Sequence, residues 1–282
     1  MSFKTVLVHV DAEPAPDPRL TLAIDLANQF DAKLLGVGAE LYRSLYGGGD
    51  FYGGYGYGAG YLIAAEMESV DADLKRAEEK FRSAAAQVRA GFDWRARVQF
   101  PLTEVAAEAR AADLVITSRS ARRGASDYNV AHPGALIMQT GRPVLVTPPD
   151  ASGLHVASVV VAWKDTRESR RAVSDALPFL KRATSVHVVE ICENKAAAAA
   201  TAGRLTDVAN HLLRHGVQAT VDADIAERDA PAADQLLDVA ERRKAELIVA
   251  GAYGHSRFQE WVFGGFTRTL LAQTGRAVLF SH

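Results

Sequence analysis

The chain repeats itself. "TGRPVLVTP" at Thr140–Pro148 is matched by "TGRAVLFSH" at Thr274–His282, 134 residues later. "AADLVITS" at Ala111–Ser118 is matched by "KAELIVAG" at Lys244–Gly251, 133 residues later. "VLVHVD" at Val6–Asp11 is matched by "VVVAWK" at Val159–Lys164, 153 residues later. Self-similarity on this scale means that one folding unit occurs twice. The offset falls by 20 residues (153 − 133) between the first and the fourth strand, so the first copy carries an insertion of about that size. That insertion is "YRSLYGGGDFYGGYGYGAGY", Tyr42–Tyr61, which holds six of the eight tyrosines and eight of the 22 glycines. The domains expected are 1–150 and 151–282, joined within Pro148–Ser158.

Within each copy short β-branched runs alternate with helical patterns. "VLVH", "VVVA" and "LIVA" are apolar at successive positions, as strands are when helices cover both faces of a parallel sheet. Met67, Val70, Leu74, Ala77, Phe81, Ala84 and Val88 recur every three or four residues, the period of an amphipathic helix. Helices are expected near 18–31, 63–90, 102–112, 133–140, 166–180, 202–215, 232–244 and 266–274. Five strands alternating with four helices in each half make a doubly wound α/β fold. Its ligands sit beyond the strand C-termini.

Composition narrows the function classes. The formal net charge is −2, with 23% charged and 48% hydrophobic residues, which offers no basic surface for nucleic acid or anionic membranes. No apolar run approaches the ~18 residues of a membrane span. Cys192 is the single cysteine, and no secretory signal is seen, so the cytoplasm is the expected compartment. Walker, Rossmann, HExxH, CxxC and GxSxG patterns are absent.

The strongest chemical signal follows the fourth strand of the second half, in "GAYGHSRFQEWVFGGFTRTLL". Glycines there let backbone amides approach an anion, and the next helix begins with unpaired N–H groups. Gly251-x2-Gly254-x9-Gly264, followed by Gly265, Phe266 and Thr267, resembles the G-x2-G-x9-G-(S/T) signature of the universal stress protein family. The tandem arrangement resembles its two-domain members. The resemblance implies two doubly wound five-stranded parallel-sheet domains of the adenine nucleotide alpha hydrolase-like kind, packed as an intramolecular pseudo-dimer. It implies strand order 3-2-1-4-5, with Val144–Val146 and Val278–Phe280 as facing edges. The protein would be monomeric in that form, or a homodimer.

The resemblance further implies stress response and binding of ATP or ADP, with or without Mg. Carried over by position, Gly251, Gly254 and His255 line one side of the phosphates, and Gly264, Gly265, Phe266 and Thr267 the other. The adenosine end falls at Ala162, Trp163, Lys164, Asp165 and Thr166, and at Val188 and Val189. Two departures stand out: Lys164 replaces the family's acid, and Gly265 replaces its Ser/Thr. The first half keeps Asp11 but has Ser118 for Gly251 and no G-x2-G, so its site is expected to be degenerate. No general base is evident, which leaves at most slow ATP hydrolysis.

A second reading makes the protein a non-catalytic scaffold whose degenerate sites take another small molecule or a protein partner. The Gly/Tyr insert suits a mobile flap, a lid over an apolar ligand, an interaction surface or simple disorder. Arg119, Arg122 and Arg123 mark a candidate anion site, against the alternative of a solvated loop. His211 and His215 have metal-pair spacing, but nothing beside them completes a site. "KAAAAATAG" at Lys195–Gly203 is either helix former or loop.

Overall fold

A computed structural model describes residues 2–13, 16–42, 59–119, 130–227, 230–253, 265–273 and 275–282. The first half runs β1 (Thr5–His9), α1 (Pro18–Phe30), β2 (Lys33–Glu40), α2 (Ala59–Ala85), β3 (Phe92–Val98), α3 (Pro101–Glu108), β4 (Leu114–Ser118), α4 (Pro133–Gln139) and β5 (Val144–Thr147). The second half repeats the order: β6 (Ser158–Ala162), α5 (Arg167–Leu180), β7 (Ser185–Cys192), α6 (Lys195–Arg214), β8 (Thr220–Ile225), α7 (Ala232–Arg242), β9 (Leu247–Gly251), α8 (Gly265–Gln273) and β10 (Ala277–Ser281). The insert falls almost wholly at 43–58, outside the described residues, and Ala59–Tyr61 already belong to α2.

All ten strands form one sheet, β3-β2-β1-β4-β5-β10-β9-β6-β7-β8. Each half has the expected 3-2-1-4-5 order with parallel neighbours. The halves meet at the expected seam, where β5 and β10 pair antiparallel: Val144↔Phe280, Leu145↔Leu279 and Val146↔Val278. Because the seam is antiparallel, the strand C-termini of the two halves lie at opposite edges of the sheet. Each half therefore has its own cleft edge.

Alternation along the strands divides the core in two. Val6 and Val8 of β1, with Val159 and Val161 of β6, face α1, α2, α5 and α6. Leu7, Val160 and Ala162 face α3, α4, α7 and α8. Local signals place the helices. Asp17 caps α1 by accepting from Leu20 N, Thr166 caps α5 from Ser169 N, and Asn194 caps α6 from Ala197 N. The Asn194 cap and the alanines behind it start α6 at Lys195, so the alanine run is helix. Cys192 is buried and unpaired. Among the described residues no helix is long and apolar enough to cross a membrane.

The seam is backed by aromatic packing. Phe3 and Phe30 of the first half meet Phe179 of the second edge to face, with ring centroids 5.1 to 5.4 Å apart. The Arg182 guanidinium lies 5.2 Å from the Phe30 ring and donates to the Gln29 carbonyl at 2.9 Å. Phe179 is 1% exposed. Phe179→Ala should cost about 3–5 kcal/mol in urea unfolding, because the cavity would open between two rings. A loss below about 1 kcal/mol would show that the halves do not depend on this contact.

Candidate functional site

Two clefts sit at the two C-terminal edges. The second-half cleft, about 280 Å³, gathers the ends of β6, β7 and β9 and the starts of α5, α7 and α8. Of the residues expected from the sequence, Ala162, Trp163, Lys164 and Thr166 line it from β6 and the following turn, and Val189 from β7. Gly251, Phe266 and Thr267 line it from the other side. Gly265 opens α8 without lining the cleft. Gly254, His255 and Gly264 lie outside the described residues.

Two expectations are corrected. Val188 is fully buried in the opposite core layer beside Val161, since neighbouring residues of a strand point to opposite faces. Asp165 turns outward to Arg170 at 2.6 Å. Trp163, which lines the cleft, donates its backbone N–H to the Val189 carbonyl at 2.8 Å and also packs its side chain in the core layer of Val161.

Gly251 has a structural reason of its own. A Cβ there would lie 2.6 Å from Ser169 N and 2.7 Å from the Glu168 carbonyl carbon, so α5 packs on it backbone to backbone. The Ser169 hydroxyl accepts from Lys164 N at 3.3 Å, and Thr166 is spent on the cap. Tyr253 holds a left-handed backbone at φ 56°, a conformation uncommon outside glycine.

The wall contains residues the sequence did not single out. Ala232 and Leu236 from α7 and Ile191 from β7 make one side apolar. Glu168 and Glu190 make the other side acidic. Each has a carboxylate oxygen, Oε2, that is shielded from water and without a hydrogen-bond partner among the described residues. Burial raises the Glu190 pKa, with Arg204 and Lys164 pulling against it. Burial also pushes Glu168 up, but its contact with Arg167 and further hydrogen bonds leave it below the usual range. The single signal for Glu190 was its place after Val189.

The first-half cleft, about 180 Å³, joins the ends of β1 and β4 to the starts of α1 and α4. Asp11 and Asp17 each meet both Arg19 and Lys80, at 3.3 to 3.5 Å. Burial raises the Asp11 pKa, but Arg19 and Lys80 overcome it and hold the carboxyl at about 2. Burial and the nearby Arg19 lower His9 to about 4.

Residues 156–281 match the universal stress protein family. The second half is a universal stress protein domain. Nearly the whole chain also superposes on a universal stress protein from Archaeoglobus fulgidus DSM 4304, at 14% identity and a TM-score of 0.67, covering 98% of this chain and 95% of that one. A functionally unknown protein from Pseudomonas aeruginosa PAO1 superposes at 13% identity and a TM-score of 0.59, covering 99% and 92%. At these identities the likeness is one of fold, and it extends over the first half as well as the universal stress protein domain. No curated protein sequence matches the chain.

Two predictions follow from the paired clefts. Gly251→Ala should destabilise the universal stress protein domain by about 1–3 kcal/mol, since the clash is with backbone; an unchanged unfolding midpoint would refute the packing role. The second concerns acid. His9 titrates lower in the folded chain than its ordinary 6.5, so the unfolded chain takes up that proton first. Stability should then fall as pH drops from 6.5 towards about 4, by up to about 1.4 kcal/mol per pH unit. Asp11, lowered from 3.8 to about 2, continues the loss across that interval. His9→Gln should flatten the upper part of the curve and leave the lower part.

Proposed function

We propose that the second-half cleft binds an adenine nucleotide, ATP or ADP, and that the protein is a cytoplasmic nucleotide-binding protein of stress response rather than an enzyme. The observation that supports this most is the convergence of three strand ends and the start of α8 on one cleft, with eight sequence-expected residues on its wall. The chemistry of the wall divides it. Val189, Ile191 and Leu236 suit a flat apolar base. The unpartnered oxygens of Glu168 and Glu190 want N–H or O–H donors, which an amino group or a ribose diol supplies and a phosphate does not. Phosphates therefore belong at the other end. There the α8 amino-terminus and the Thr267 hydroxyl offer donors, and Lys164 offers charge. Mg would arrive on the phosphates, which supply it with oxygens.

Lys164 and the two acids also support the scaffold reading, in which the fold persists and the cleft serves a different small molecule. Calorimetric titration with ATP, ADP and AMP separates the two. ATP or ADP should bind at one site per chain. Ala162→His, which places at this position the residue type that β1 carries at its own end, should weaken that binding at least tenfold, about 1.4 kcal/mol. Lys164→Asp should weaken ATP more than AMP, because it replaces a cation offered to the phosphates by a carboxylate. Absence of binding by wild type at about 1 mM ATP would leave the scaffold reading.

A further inference from the structure

The first-half cleft was expected to be a degenerate copy, yet it is built, and built differently. The strand pairings make the two clefts comparable residue by residue: Val8 faces Ile116 across β1 and β4, as Val161 faces Val249 across β6 and β9. One step beyond, the first cleft has His9 where the second has Ala162. An imidazole thus lines the first cleft where a methyl group lines the second, and the cavities measure about 180 and about 280 Å³. Beyond β4, Ser118 and Arg119 stand where Gly251 and Ala252 stand after β9. The glycine on which α5 packs is replaced by a serine, and the small Ala252 is replaced by a guanidinium.

The charges in this cleft are sorted in a particular way. Asp11 and Asp17 are each closed off by both Arg19 and Lys80, and the Lys80 ammonium also donates to the Glu13 carbonyl at 3.0 Å. The acids are thereby satisfied and offer no vacancy to a cation. The groups left unsatisfied are nitrogens. Arg19 Nε, Arg119 Nε and His9 Nε2 are shielded from water and have no hydrogen-bond partner among the described residues, and all three residues line the cleft. Arg119 donates one terminal nitrogen across the seam to the Arg276 carbonyl, and among the described residues no carboxylate pairs with it. A buried polar group without a partner is destabilising, so three in one small cleft call for an explanation.

We propose that the first-half cleft is a second ligand site, made for a small oxyanion, a free phosphate or a compact carboxylate, held by the Arg119 and Arg19 guanidiniums beside His9. The two Nε–H groups are donors that suit anionic oxygens. His9 Nε2 suits a hydroxyl on the same ligand, as in the phosphate monoanion or a hydroxy acid. Asp11, Glu13 and Asp17 are balanced by Arg19, Lys80 and Arg119, so one added anion meets no net negative wall. A nucleotide does not fit this chemistry, because His9 stands in the place of Ala162 and no G-x2-G loop follows β4.

Titration calorimetry with inorganic phosphate and with malate tests this, and the preferred probe tells phosphate from carboxylate. At least one should bind at one site per chain in wild type and in Ala162→His, the variant expected to lose nucleotide. Arg119→Gln should weaken that binding at least tenfold. Because Arg119 also spans the seam, His9→Phe provides a second reading that leaves the seam alone, and it too should weaken binding. Circular dichroism confirms that each variant is folded; if Arg119→Gln is not, His9→Phe decides. The proposal is overturned if neither probe binds at about 10 mM, or if folded Arg119→Gln and His9→Phe bind as wild type does. Binding lost in Ala162→His instead would overturn it by assigning the anion to the second-half cleft. Failure of ATP to bind bears on the second cleft alone.

Discussion

The antiparallel pairing of β5 with β10 is the contact on which the rest of the architecture depends. Each half ends in a strand whose outer edge would otherwise present free N–H and C=O groups, and joining two such edges satisfies both sets at once. The pairing converts two five-stranded sheets into one of ten strands and brings α1 against α5, where Phe3, Phe30 and Phe179 close the gap. Its antiparallel sense sends the two clefts to opposite edges of the sheet. The outer strands that remain are guarded by charge. Arg95 and Arg97 of β3 pair with Glu108 and Glu104, and Asp222 and Asp224 of β8 pair with Arg243 and Arg242. Charged side chains of this kind discourage further strand addition.

Identical topology at the two clefts separates what the fold provides from what individual residues provide. The fold provides strand ends, helix starts and a gap between core layers. Ala162 against His9 decides whether a methyl group or an imidazole lines the gap near the first strand. Gly251 against Ser118 decides how closely the neighbouring helix approaches the fourth. Lys164 with two unpartnered glutamates, against Asp11 closed by Arg19 and Lys80, decides which polarity is left over for a ligand. The leftover valences are acceptors in the second cleft and nitrogens in the first.

Much of the fold was legible because repetition reports topology directly: matched strands at offsets of 153 and 133 residues define two copies and locate the insert. Helix positions were legible from apolar spacing and from their alternation with strands. Lys195–Gly203 was not, because alanine-rich composition suits both helix and loop until a cap such as Asn194 is recognised. The site was legible where backbone position decides it, as at Ala162, Val189 and Thr267. It was misread at Val188, where the two-residue period separates neighbours, and at Asp165, which pairs with Arg170 one turn into the next helix. Gly251 was found for an incomplete reason: its spacing suggested anion approach, while its Cβ space is taken by the α5 backbone. Glu168, Glu190 and the Arg19–Lys80 network carry no motif, because they depend on which side chains converge after folding.

Carrying both copies in one chain has a further physical consequence at the seam. A symmetric homodimer must place the same residue on both sides of its two-fold axis, so its two sites have to remain alike. Here the crossings differ. Arg119 reaches from the end of β4 to the Arg276 carbonyl just before β10. Tyr253 lines the second cleft, and a Cβ on Gly134 would stand 2.9 Å from its hydroxyl oxygen. The adjoining Pro133 lines the first cleft. A single side chain thus touches the wall of one cleft and the helix start that frames the other. With sequence symmetry released, Arg119 is free to be an arginine although Ala252 is not, and Gly134 is free to make room for a tyrosine that the first half does not need. Two halves of the same strand order in one chain present two chemically different clefts while their seam remains intact.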